Sequence, residues 1–101
     1  MEVLPSGGFF YFLQNLRKLI LSMNNLRTIQ SEYMKELGCL EIFEVSSNKI
    51  HSIPCSVGFL KEMRSFNASR NKIVMLPSSI GKISFLCSLD LSYNSIRKIA
   101  S

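Results

Sequence analysis

The sequence predicts an α/β repeat solenoid built on a parallel sheet of short strands, and three observations predict it. Asn24, Asn48, Asn71 and Asn94 recur at steps of 24, 23 and 23 residues. Self-similarity at a fixed period of this length marks an array in which each unit is one supersecondary element. Each asparagine also sits at the same place in an apolar frame, with units starting at Leu16, Leu40, Met63 and Leu86. The third observation is the alternation inside that frame, which puts one face of a strand inward because side chains along a strand alternate.

In chain order, residues 1–15 hold Pro5-Ser6-Gly7-Gly8 and Phe9-Phe10-Tyr11-Phe12-Leu13, the remnant of a partial repeat or an irregular N-terminal cap. The first unit, 16–39, places Leu16, Leu19 and Leu21 at positions one, four and six, then Leu26 and Ile29 after its Asn. Unit 40–62 repeats this with Leu40, Phe43, Val45, Ile50 and Ile53, and unit 63–85 with Met63, Phe66, Ala68, Ile73 and Leu76. The incomplete unit 86–101 supplies Leu86, Leu89, Leu91, Ile96 and Ile99. In the second halves Met34 and Leu37, Val57 and Leu60, and Ile80 and Ile83 are each three apart, the spacing of one short helical or 3₁₀ turn.

These residues resemble the 23-residue intracellular class of the leucine-rich repeat family, whose consensus reads LxxLxLxxNxLxxLPxxIGxLxx. Residues 63–85, with Leu76-Pro77-Ser78-Ser79-Ile80-Gly81, fit almost throughout, and residues 40–62, with Ile53-Pro54 and Val57-Gly58, nearly as well. The first unit departs: Gln30 stands for the Pro, Lys35 for the Gly, and the unit is one residue longer. The resemblance covers about residues 13–101 and implies a right-handed superhelix with a concave parallel sheet and irregular or 3₁₀ convex turns. It further implies scaffold or adaptor work in signalling, similar to Ras-pathway scaffolds of this class.

No unit is expected to be stable alone, because the inward apolar row becomes continuous only between neighbours. The asparagines Asn24, Asn48, Asn71 and Asn94 are structural candidates. At the turn after each strand a carboxamide can donate to and accept from backbone groups of its own and adjacent units. At the far side of the last unit, Leu91, Ile96 and Ile99 would face water, which suits a fragment of a longer array.

A composition of 47% apolar and 19% charged residues excludes a disordered chain, and no apolar run approaches the roughly 20 residues needed to span a bilayer. Glu2 stands where a signal peptide would carry basic residues. Cys39, Cys55 and Cys87 are odd in number, fall at unrelated positions and form no CxxC, so they read as reduced thiols of a cytoplasmic protein. With His51 the only histidine, neither a metal nor a cofactor is expected, and no nucleophile elbow, phosphate loop or HExxH suggests an enzyme. The net charge of +5 is dispersed over Lys18, Arg27, Lys49, Lys61, Arg70, Lys72, Lys82 and others rather than gathered on one face, which argues against nucleic acid.

Function is therefore expected on the outward positions of the sheet. Position seven is Ser22, Ser46, Ser69 and Ser92, a candidate structural ladder. Positions five and eight mix anchors and charge as interfaces do. The candidate partner-binding residues are Ile20, Met23, Glu44, Asn67, Arg70, Asp90 and Tyr93, with Arg70 and Tyr93 first because Arg and Tyr dominate interface hot spots. The expected function is non-catalytic protein–protein interaction. The alternative is a recognition or regulatory domain of a larger enzyme or receptor, such as a kinase, phosphatase regulator, ubiquitin ligase or death-domain protein.

Overall fold

The computed structural model describes residues 14–29 and 31–100, so the expected partial repeat or cap at 1–15 lies outside it apart from Gln14 and Asn15. The described elements are strand β1 (Lys18–Ile20), helix α1 (Ser31–Glu36), β2 (Ile42–Glu44), a 3₁₀ turn (Cys55–Phe59), β3 (Ser65–Asn67), β4 (Met75–Pro77), a second 3₁₀ turn (Ser78–Lys82), β5 (Ser88–Asp90) and β6 (Lys98–Ala100). Strands β1, β2, β3 and β5 form one sheet in that order, every pair parallel. Its register aligns Leu19, Phe43, Phe66 and Leu89, the fourth position of each repeat. Although each strand is three residues long, the ladder runs further. Met23, Ser47 and Arg70 donate their N–H groups to the carbonyls of Ser46, Ser69 and Ser92 in the next repeat at 2.9–3.0 Å.

The core follows from stacking. Phe43 and Phe66 are each 1% exposed and lie face to face, ring centroids 5.5 Å apart and planes 14° from parallel. Positions filled by residues smaller or more flexible than leucine are sealed as well: Met63 and Ala68 are fully buried. Burial falls toward the sheet edges because, among the described residues, an outer coil has a neighbour on one side only. Leu19, Leu86, Leu91 and Ile96 are partly buried, and Leu89 in edge strand β5 is 44% exposed. Among the inward apolar positions of the last repeat Leu89 is thus the most open to water, with Leu91 and Ile96 half-buried, and the Ile99 side chain lies outside the described residues.

Two local features depart from expectation. The first repeat forms an α-helix, within the short helical or 3₁₀ turn that the Met34–Leu37 spacing predicts but unlike the irregular or 3₁₀ turns the family resemblance implied, while the later repeats form 3₁₀ turns. The reason lies in the sequence: the first repeat has one more residue and no proline, whereas Pro54 and Pro77 directly precede the 3₁₀ turns with φ of −68° and −75°. The second feature is an additional parallel pair, β4 with β6, extended toward the second repeat by a bridge between Ser52 and Met75. Proline disfavours helical backbone in the residue before it, so Leu76 is held extended ahead of Pro77 and its flank can pair.

Helix α1 and the two 3₁₀ turns pack on one another in sequence order. Gly58 is buried at the seam between the turns, where a Cβ would stand 3.1 Å from Ser79 Cβ and 3.2 Å from the Ser79 carbonyl oxygen. The second contact is with backbone, which cannot swing aside. Gly58→Ala is expected to destabilise the protein by about 1–3 kcal/mol through overpacking, read as a lower urea midpoint. Gly81→Ala, with nothing within 4 Å of its Cβ, is the matched control.

Candidate functional site

The candidate site is the exposed face of the four-stranded sheet, and the asparagine row sets its floor. Asn71 donates from Nδ2 to the carbonyls of Val45, Ala68 and Ser69 at 3.0–3.1 Å, and its Oδ1 accepts the N–H of Ile50 at 3.0 Å. Asn48 donates to Leu21, Val45 and Ser46 and accepts from the N–H groups of Asn24 and Leu26. Asn94 repeats the pattern toward Ala68 and Ile73, while Asn24 bonds to carbonyls of its own repeat. Each interior asparagine thus ties its turn to the preceding repeat and fixes where the neighbouring side chains emerge.

Immediately before each asparagine the backbone enters the left-handed region: φ is 61° at Met23, 56° at Ser47, 58° at Arg70 and 58° at Tyr93. For residues with a Cβ this costs on the order of 1 kcal/mol each. The sequence offered no signal of it, since glycine, the residue that marks such backbone, occurs at none of the four positions. The geometry places these side chains outward: Met23 is 83% exposed and Tyr93 71%.

The seven candidate residues do not form one cluster. Ile20 and Met23 are exposed apolar groups on the first repeat, and Glu44 is partly exposed on the second. Arg70, Asp90 and Tyr93 come together on the third and fourth: the Arg70 guanidinium carbon lies 4.3 Å from the centre of the Tyr93 ring, a cation–π contact. Asn67 is turned to local use, its Oδ1 accepting the N–H and hydroxyl of Ser69 at 3.0 and 2.8 Å. Asp90 does the same for Ser92 at 3.0 and 2.6 Å.

The serine column therefore splits. Ser46 donates to Ser22 across repeats at 3.0 Å, whereas Ser69 and Ser92 turn back to position five of their own strand. Position five is Asn or Asp only in those two repeats, and these short side chains reach the backbone N–H two residues on.

The Ser92 hydroxyl, then its N–H, holds the Asp90 carboxyl below the usual carboxylate range; slight desolvation opposes this and the Arg70 charge adds to it. Because the folded pKa is lowered, the contact contributes at neutral pH and is lost as pH falls below the ordinary carboxylate range. An NMR titration is expected to place the Asp90 midpoint below that of an unpaired aspartate, and Ser92→Ala to raise it.

Elsewhere, Cys39, Cys55 and Cys87 are exposed thiols, and among the described residues no group of histidine, cysteine and carboxylate side chains could hold a metal ion. No helix among them is long and apolar enough to cross a membrane.

Short parallel strands in register, one hydrogen-bonded asparagine per coil, buried at Asn48 and Asn71 and half-buried at Asn24 and Asn94, and a return through a 3₁₀ or α turn define a protein of stacked repeats. The leucine rich repeat family model matches residues 14–73, and the chain belongs to that family. A search of curated proteins returns no match. Among 22 matching solved chains is a leucine-rich repeat protein of Leptospira interrogans, similar at 27% identity with a TM-score of 0.84. The match covers 92% of this chain and 24% of that one, so the chain spans about a quarter of that protein's length.

Proposed function

We propose that this chain is a non-catalytic protein-interaction segment of a right-handed solenoid, an adaptor or scaffold in cytoplasmic signalling that binds a protein partner on its concave sheet. The observation that carries the reading is the Arg70–Tyr93 pair. It is an exposed guanidinium stacked on an exposed ring, held outward by left-handed backbone and bordered by Asp90. Such a pair is preorganised, so little side-chain entropy is lost when a partner covers it. Ile20 and Met23 add apolar anchors at the other end of the face, Glu44 lies between, and Asn67 lines the floor. Membership of the leucine-rich repeat family supports a protein as the ligand.

Replacing Arg70 and Tyr93 together with alanine is expected to abolish partner capture while leaving far-UV circular dichroism unchanged. Alanine is the right substituent because its Cβ keeps the left-handed backbone cost the same, so the variant reports on the side chains alone. Capture retained by the double variant would move the site to another face. The alternative, a recognition or regulatory segment of a larger enzyme or receptor, is supported by the match to about a quarter of the Leptospira protein. Sequencing the full transcript for a kinase, death or transmembrane segment separates the two.

A further inference from the structure

Away from the sheet, the seam between the two 3₁₀ turns opens into a pocket of about 140 Å³, lined by Cys55, Gly58, Phe59, Lys61, Ser79 and Lys82. Its size suits one side chain: a cavity of about 150 Å³ holds a benzene ring, whereas small-molecule sites run to about 300–1,000 Å³. Its wall is apolar, with the Phe59 ring left 53% exposed and Gly58 presenting no side chain. Its charge is of one sign, since Lys61 and Lys82 line it and no carboxylate does. The Ser79 hydroxyl already donates to the Cys55 carbonyl at 2.6 Å, which leaves the two ammonium groups as the donors for an incoming anion.

We infer that this pocket is a second docking site, independent of the sheet face, for an acidic protein segment that inserts one aromatic side chain with a carboxylate beside it. The ring would pack on the exposed Phe59 ring at the mouth of the seam and the carboxylate would lie between Lys61 and Lys82. The chain's net charge of +5 favours approach by such a partner.

Cys55 makes the test direct, because its thiol is exposed in the pocket wall while Cys39 and Cys87 are exposed outside it. Single-cysteine variants, the other two thiols replaced by serine, are treated with the anionic aryl disulfide dithiobis-nitrobenzoate and with neutral dithiodipyridine. In either case the cysteine sulfur, giving its proton to solvent, attacks the reagent's S–S bond. A protein–aryl disulfide forms and one aryl thiolate leaves. The ratio of anionic to neutral rates cancels the intrinsic reactivity of each thiol.

That ratio is expected to be at least about fivefold larger at Cys55 than at Cys39 or Cys87, a size consistent with nearby charges acting through water. Lys61→Gln with Lys82→Gln should bring it to the level of the other two. A capped acidic peptide with a central phenylalanine should slow the neutral reagent at Cys55, and its lysine counterpart should not. Equal ratios at the three cysteines, a Cys55 ratio that survives loss of both lysines, or equal protection by both peptides would overturn the assignment.

Discussion

Phe66→Ala is expected to cost about 3–5 kcal/mol, the largest single-residue effect in this protein. Phe66 is almost fully buried, stacks on Phe43 at 5.5 Å and occupies an interior strand with a neighbour on each side. Truncation removes the ring's burial, ends the stack and leaves a void that two flanking repeats cannot close without breaking the ladder between Phe43, Phe66 and Leu89. A domain of this size has a stability on the order of 5–15 kcal/mol, so the urea midpoint should fall far with the slope unchanged. Leu89→Ala, at the same position of an edge coil and 44% exposed, should cost much less. Equal losses at the two positions would show that burial between neighbours does not govern stability here.

The second large effect is at the asparagine row. Asn71→Ala leaves the buried Ile50 N–H without its acceptor and removes the donor to the carbonyls of Val45, Ala68 and Ser69. An unmet buried polar group costs about 1–3 kcal/mol, and the expected loss is toward the upper end of that span. Asn71→Asp should be worse at neutral pH, since its carboxylate would face three carbonyl oxygens with no hydrogen to offer. Asn24→Ala, where the side chain is half-buried and, among the described residues, donates to Leu21 and Ser22 of its own repeat, should be milder. A change near zero for Asn71→Ala by denaturant titration would remove the asparagine from the account of stability.

The repeat period and the inward columns were legible in the sequence because both record burial, and burial in a stacked array recurs at a fixed spacing. Leu19, Phe43, Phe66 and Leu89 share position four of the apolar frame, and that same set is the pairing register. Even the departure of the first repeat was visible as one added residue and an absent proline, although not that the outcome would be the α-helix Ser31–Glu36. The candidate face was legible only as columns: the repeat frame sets Arg70 and Tyr93 in one column, but strict period-two alternation from Phe66 and Leu89 would turn that column inward, and nothing in the spacing shows the left-handed backbone that turns it out or the guanidinium lying on the ring. Nor did it show that Asn67 and Asp90 are held by Ser69 and Ser92.

By itself, then, the sequence determined the spacing of the coils, which columns face inward, and the asparagine at each turn, since these rest on nearest-neighbour burial and local hydrogen bonding. Only the tertiary structure decided the left-handed backbone at Met23, Ser47, Arg70 and Tyr93, the Arg70–Tyr93 stack, the β4–β6 pair and the pocket between the 3₁₀ turns. Each of these joins atoms of different coils, or depends on how one coil sits against the next. A one-dimensional pattern of apolar positions carries the spacing of such groups along the chain but not their distance and direction in space.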